Sequence, residues 1–394
     1  MADPWLTIIG MNEDGPPGLS DASRAALADA ALIFGGPRHL TLSGAGSRGR
    51  PWPVPFSVDP VLECRGQPVV ILASGDPFWH GAGAVVATHL ARDEWISHPA
   101  PSTFQLAANA LGWRMEGVTC LGLHAAPLSR LRPHLHRNAR LIVTLRDAAA
   151  AAELAGWLVA SGWGASDLWV MEALGGPRER LRATAAHAFD LTDITAPVTI
   201  AIDAKGGDSL PRAPGLSDDL FQSDGQITKS PIRAITLATL APRQGELLWD
   251  LGAGSGSISI EWCLAGGHAL AVERRADRAL NIRANALSFG VDHRLRVIDG
   301  AALGALADLH DPPDAVFIGG GCDPALLTAL WQRLPPGTRL VVNSVTLDTD
   351  ALLTGWHGQQ GGDLTRIDIA KATPLGGMRG WTAARTVTQW SVVR

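Results

Sequence analysis

Apolar residues in the first half of the chain fall into short runs separated by stretches of helical spacing. Trp5–Gly10, Leu141–Leu145 and Val198–Ile202 read as strands, and Pro68–Ala73 reads as a strand buried on both faces. Helices are predicted over Ser20–Ala31, with Ser20 as N-cap, over Gly81–Ala91, and over Pro101–Leu111 behind Ser102. This alternation predicts an α/β fold, with a further division near residues 98–103 that makes two lobes and a cleft. The second half is more regular. Strands are predicted at Leu247–Leu251, Ala269–Glu273, Leu295–Ile298, Ala315–Ile318, Arg339–Val342, Leu364–Ile369 and Val387–Val392, with helices between the first six. That pattern predicts a doubly wound, Rossmann-like sheet of seven strands.

Between the halves, Gly, Pro, Ser and Asp dominate and apolar periodicity stops. Residues 204–219 are therefore expected to link a domain over 1–203 (lobes about 1–100 and 101–203) to one over 220–394. No internal repeat relates the two halves. A chain of 394 residues with 46% hydrophobic and 18% charged residues excludes a disordered protein. Its net charge of −5, with no basic block, argues against nucleic acid as a partner. Only Lys205, Lys229 and Lys371 are lysines among 33 basic residues, so arginine is available throughout to grip planar carboxylates. The 4 cysteines form no CxxC pair, and His134 and His136 have no further ligands nearby, so no metal is expected. The start shows no leader pattern and no apolar run reaches membrane-spanning length; the expectation is a cytoplasmic protein without membrane contact.

The sharpest chemical signal follows the strand at 247–251. Gly252-x-Gly254-x-Gly256 leads into a helix, and glycines there let the backbone turn sharply and approach a ligand. Glu273 ends the next strand, 21 positions after Gly252, where a carboxylate can take both hydroxyls of a ribose. A dinucleotide fingerprint would need glycine at 257, where the chain has Ser257. Further along, Gly319-Gly320-Gly321 closes the fourth strand at the usual active-site edge of such a sheet and could offer amides to an anion. Cys322 reads as a packed small residue rather than a nucleophile.

Asp250-x-Gly-x-Gly-x-Gly resembles the first motif of the class I S-adenosylmethionine (SAM) methyltransferases. That resemblance implies that Gly252, Gly254 and Gly256 hold the amino-acid end of SAM, Glu273 its ribose, and Gly300, Ala301 and Ala302 its adenine. Relatives often carry an acidic residue where Ala301 stands. The segment Phe221–Ala234, with Ile318-Gly-Gly-Gly321 and Val342-Asn-Ser-Val-Thr-Leu-Asp-Thr349, is similar to cobalamin-pathway methyltransferases that methylate carbon 15 of a precorrin and decarboxylate it. It implies that Thr228 reaches SAM, and that Asn343, Gly320 and Gly321 form the wall of the catalytic site. Arg233, Lys371 and Arg379 are the candidates to bind substrate carboxylates.

Leu6-Thr-Ile-Ile-Gly10, Val69–Gly81 with its Ser-Gly-Asp-Pro core, and Ala100–Gly112 resemble in order the tetrapyrrole (class III) methylases. This implies a second SAM in the cleft between lobes, near Gly10, Gly75, Asp76, Pro77, Ser102 and Thr103. Two segments depart from that pattern, Gly10–Gly15 and Leu123-His124-Ala125-Ala126, and they leave His124 either structural or a substrate contact. Together the halves resemble the fused decarboxylating precorrin methyltransferases of cobalamin synthesis. The resemblance implies one SAM per domain and a polycarboxylate tetrapyrrole, precorrin-6, as substrate. It further implies methylation at carbon 5 by the first domain, and at carbon 15 by the second with loss of carbon dioxide from the ring C acetate, giving precorrin-8. The alternatives are a first domain that only senses SAM or holds substrate, and a nicotinamide-dependent oxidoreductase. A homo-oligomer stays open.

Overall fold

The computed structural model describes residues 4–394; the first three positions of the expected N-terminal segment lie outside the described residues. The chain divides into two compact units. The first comprises residues up to Leu128 with His134–Asp208; the second comprises Ser129–Pro133 with Ser209–Arg394.

Among the described residues the first unit contains ten strands: β1 (Leu6–Met11), β2 (Leu32–Gly35), β3 (Gly49–Pro51), β4 (Val69–Ser74), β5 (Trp95–His98), β6 (Val118–Gly122), β7 (Arg140–Thr144), β8 (Asp167–Glu172), β9 (Arg180–Ala185) and β10 (Val198–Asp203). They form two sheets, in the orders β3-β2-β4-β1-β5 and β6-β7-β10-β8-β9. The first sheet is parallel throughout. It is apolar on both faces: Ile9, Met11, Val70 and Leu72 pack on one side, and Leu6, Ile8, Val69 and Ile71 on the other. The second sheet is mixed. The helix Thr103–Leu111 starts where expected, because Ser102 and Gln105 exchange side-chain-to-amide hydrogen bonds in a capping box. It ends at Gly112 in the left-handed conformation. The helix expected over Gly81–Ala91 is shorter, Ala82–Ala87.

The second unit adds nine strands: β11 (Leu247–Leu251), β12 (His268–Glu273), β13 (Leu295–Asp299), β14 (Ala315–Ile318), β15 (Arg339–Ser344), β16 (Asp363–Ile367), β17 (Ala370–Leu375), β18 (Met378–Ala383) and β19 (Val387–Val393). Seven of them form one sheet in the order β13-β12-β11-β14-β15-β19-β16, parallel except for the antiparallel β19. The order reverses between β11 and β14, which puts a crevice beyond their carboxyl ends. Apolar clusters cover each face, one built around Trp262 and Phe289, the other around Trp249 and Trp390. The fold class expected from the strand pattern is the one observed, two-sheet α/β followed by a seven-stranded doubly wound sheet. The hairpin β17–β18 was not expected; it stands apart from the large sheet.

The presumed linker is only partly a linker. Within it, Leu216 is buried in the core of the second unit and Leu210 packs against that core. The amides of Gly215 and Leu216 donate to the Glu261 carboxylate at 2.6 and 3.0 Å. Its Gly/Pro composition concealed this anchoring because two apolar residues separated by turn residues show no period.

Candidate functional site

In the second unit, β11 delivers the chain into the glycine loop. Gly252, Gly254 and Gly256 all have positive φ, 72°, 60° and 75°. A Cβ at Gly252 would fall 2.3 Å from the carbonyl oxygen of Gly320, so the glycine loop and the loop after β14 meet backbone to backbone. Glu273, buried at the end of β12, accepts hydrogen bonds from the amides of Gly254 (2.8 Å) and Arg275 (2.9 Å). Asp250, one residue pair upstream of the loop, is fully buried. One of its oxygens accepts from the Ser259 hydroxyl at 2.6 Å, and the other, Oδ1, has no partner. Burial pushes its carboxyl up to about 6. A buried carboxylate with an unsatisfied oxygen beside an open glycine turn suits a cationic ligand. The Gly300 amide donates to the Glu273 backbone carbonyl, and Ala301 caps a short helix that begins at Ala302 after β13.

The segment 221–228 lies over this loop. The Gln226 carbonyl would be 3.4 Å from a Cβ at Gly254. Asn285 ties segment and loop together: its amide exchanges hydrogen bonds with the backbone of Gln222 (2.8 and 2.9 Å) and donates to the Ser255 carbonyl (3.0 Å). Arg233 does the same from below, and here the structure corrects the expectation of a substrate-binding residue. Its side chain has no exposed surface. It pairs with Glu261 (2.5 Å) and Asp218 (3.1 Å) and donates to the carbonyls of Thr228 and Leu216. All its donors are directed inward, so none can reach a substrate carboxylate. Thr228 is thereby held at the mouth of the loop through its backbone.

Gly319, Gly320 and Gly321 are exposed at the carboxyl end of β14; a Cβ at Gly320 or Gly321 would touch nothing. Cys322, next in sequence, packs against the sheet core, and burial pushes its thiol up to about 12, so it stays protonated. Asn343 on β15 is half-buried. It donates to Thr236 Oγ1 (2.9 Å) and accepts from Gln389 on the paired strand β19 (2.9 Å). Lys371 and Arg379 lie on the exposed hairpin β17–β18, on separate strands.

In the first unit, a cavity of about 520 Å³ opens beside the carboxyl ends of β1 and β4. Its wall includes Ser102 and Thr103 but not Asp76 or Pro77. The Asp76 carboxylate accepts from the Phe78 amide (2.8 Å), which shapes the turn instead. The Ser102 hydroxyl accepts from the Gln105 amide as the helix cap. Gly10 and Gly75 back the cavity by close approach: a Cβ at Gly10 would sit 1.7 Å from the Gly75 carbonyl oxygen, and one at Gly75, where φ is 55°, would sit 2.7 Å from the Ser102 Cα. Sequence reasoning passed over the polar side of this cavity. There Glu13 is buried and paired with both Arg38 and Arg178. His39 shares its Nε2 with Arg38 and Ser74, and burial together with the Arg38 charge lowers its pKa to about 4.

Residues 219–394 match the family described as precorrin methyltransferase domain, and residues 57–189 match the tetrapyrrole (corrin/porphyrin) methylases. A protein of Sinorhizobium sp named precorrin-6Y C(5,15)-methyltransferase [decarboxylating] is 46% identical, covering 99% of this chain and 97% of its own. A protein of that name from Mycobacterium tuberculosis (strain CDC 1551 / Oshkosh) is 37% identical, covering 99% of this chain and 100% of its own. The chain belongs to the decarboxylating precorrin-6Y C(5,15)-methyltransferase family. A solved C-terminal domain of precorrin-6Y C5,15-methyltransferase from Rhodobacter capsulatus is 57% identical, covering 47% of this chain and all of its own, with a TM-score of 0.46.

For this family member the nicotinamide reading is not favoured, in keeping with Ser257 where a dinucleotide fingerprint needs glycine. The full-length relatives are named for both carbons. Among the described residues, no helix is long and apolar enough to cross a membrane. Asn285, Glu261 and Gln389 were missed because each acts on a partner far along the chain, with no local motif to mark it.

Proposed function

We propose that this chain methylates a precorrin-6 macrocycle twice, at carbon 5 in the first unit and at carbon 15 in the second, and removes the ring C acetate carboxylate as carbon dioxide in the second, giving precorrin-8. The observation that carries the reading is similarity over 99% of the chain to relatives named for both methylations and the decarboxylation. One SAM per unit supplies an electrophilic methyl group at each site. In the second unit the residues that fit it are Gly252, Gly254 and Gly256 through their backbone, Glu273 for the ribose, Thr228, and Gly300–Ala302 for the adenine. The orphaned Asp250 oxygen is the complement to its positive charge. In the first unit Gly10, Gly75, Ser102 and Thr103 border the site, with Asp76 and Pro77 shaping the turn behind it.

Bridging carbons of a reduced tetrapyrrole behave as enamine carbons, because ring nitrogens push electron density onto them. Such a nucleophile needs placement more than activation. In the second unit, Asn343 and the amides of Gly320 and Gly321 wall the crevice and exclude water from the acetate; the protonated ring takes up its electron pair as carbon dioxide departs. Lys371 and Arg379 on the hairpin are proposed as contacts for the peripheral carboxylates. The protein acts in the cytoplasm on this small molecule, without nucleic acid or membrane, and as a single chain or a homo-oligomer.

The test is incubation of the full chain with methyl-labelled SAM and the reduced precorrin, followed by mass spectrometry. Two labels and one lost carbon dioxide are expected. Gly252→Ala should leave one label, on carbon 5, and no loss of carbon dioxide. Gly75→Ala should leave the carbon 15 label and the decarboxylation. Any other partition overturns the assignment of carbons to units.

A further inference from the structure

Methylation of a carbon that carries hydrogen releases a proton, and the cavity of the first unit must take it somewhere. Five titratable side chains line that cavity among the described residues: Glu13, Arg38, His39, His80 and His124. Three of these, Glu13, Arg38 and His39, are already committed. Glu13 is paired with Arg38 and Arg178, which consumes both arginine charges nearest it. His39 has a pKa of about 4 and holds its Nε2 against Arg38 and Ser74, so it does not accept a proton at neutral pH. Asp76, behind the wall, is turned onto the Phe78 amide.

His80 and His124 remain. They come from different sheets: His80 follows β4 in the Gly-Asp-Pro turn, and His124 follows β6. The fold brings them together over Gly122, where a Cβ would lie 3.3 Å from both His80 Cγ and His124 Cε1. His80 is held with φ of 57°, an uncommon conformation for a residue with a side chain, and its ring meets the edge of Phe104 at 6.0 Å. Among the described residues neither imidazole makes a hydrogen bond, so their ring nitrogens are available to a ligand in the cavity. Burial and the neighbouring His124 both lower the His80 pKa, which favours a neutral, proton-accepting ring at pH 7.

We propose that the paired imidazoles of His80 and His124 are the proton acceptor for the methylation carried out in the first unit. The inference rests on the reading that this unit methylates carbon 5. Carbon 5 attacks the methyl carbon; the new carbon–carbon bond forms as the methyl–sulfur bond breaks, its electron pair staying on sulfur. The macrocycle gains one positive charge. It returns to its original charge when the carbon 5 proton passes to an imidazole nitrogen and the C–H electron pair re-enters the conjugated ring. The imidazolium then gives the proton to water through the open mouth of the cavity.

The experiment uses the full chain with His80→Gln, His124→Gln, the double variant and Gly122→Ala, whose new methyl wedges between the rings. Each histidine variant should lower kcat for carbon 5 methylation by at least about tenfold, within the 10²–10⁴ range of general base catalysis for the double variant. The acid limb of the kcat–pH profile should disappear with them. SAM affinity by calorimetry should stay within about twofold, and carbon 15 methylation with decarboxylation should persist. Independently of turnover, His124→Gln should raise the NMR-measured pKa of His80 in the ligand-free protein. The proposal fails if the double variant keeps kcat within about threefold, if the loss lies wholly in KM (a carboxylate contact instead), if SAM affinity falls in step, or if the His80 titration does not move. If Gly75→Ala leaves carbon 5 methylation intact, the assignment of that carbon to the first unit fails and takes the proposal with it. If Gly75→Ala abolishes it while the histidine variants do not, only the proposal fails.

Discussion

Replacing Glu261 by alanine tests whether Arg233 is structural. Glu261 is 6% exposed and accepts three hydrogen bonds, from Arg233 and from the amides of Gly215 and Leu216. Without it, a fully buried guanidinium loses its closest anion and two amides lose their acceptor. Breaking a buried ion pair by removing one partner costs about 3–5 kcal/mol. Asp218 and the carbonyls of Thr228 and Leu216 remain as partners of Arg233, which puts the expected loss at the lower end. About 3 kcal/mol in a unit of this size lowers the melting temperature by about 6–12 °C. The assay is calorimetric unfolding of the full chain, reading the transition of the second unit, with SAM titrated into the same protein. SAM affinity should fall as well, because Arg233 holds the Thr228 carbonyl and thus the segment over the glycine loop. The variant Arg233→Met with Glu261→Leu should recover part of the loss, since it leaves no unpaired buried charge. A drop below about 3 °C for Glu261→Ala would refute the reasoning. So would an Arg233→Ala protein that melts normally and shows only a raised KM, as a substrate contact would.

Gly252→Ala should abolish SAM binding to the second unit in calorimetry, because the added carbon falls 2.3 Å from the Gly320 carbonyl oxygen at a φ of 72°. Glu273→Gln should weaken that binding at least about tenfold, since two backbone amides would meet an amide group in place of a charged acceptor and a ribose would lose its carboxylate. Asp250 has its folded pKa raised from 3.8 to about 6, so the stability it contributes is present below about pH 4 and lost as pH rises through about 6. Asp250→Asn should therefore raise the ligand-free melting temperature relative to the parent at pH 7.5 and not at pH 4, while weakening SAM binding. An equal shift at both values would contradict the assignment.

What the sequence could determine alone was local. The run Leu247–Leu251 into three spaced glycines, and the helix start behind Ser102, carry their geometry in adjacent residues, because turn and cap energetics depend on positions within one helical turn. The central strands β11, β12, β14 and β15 were legible for the same reason: a buried parallel strand is a contiguous apolar run. The hairpin β17–β18 was not, since an exposed strand pair carries no apolar run to read. Tertiary structure alone decided what each charge is for. Arg233 looked like a free cation, and only folding put Glu261, 28 positions away, against it and removed both from water. His80 and His124 share no motif, yet close packing over Gly122 makes them one pair. Ionisable side chains take their role from desolvation and from the partner across the fold, and both are properties of packing that no local stretch of sequence encodes.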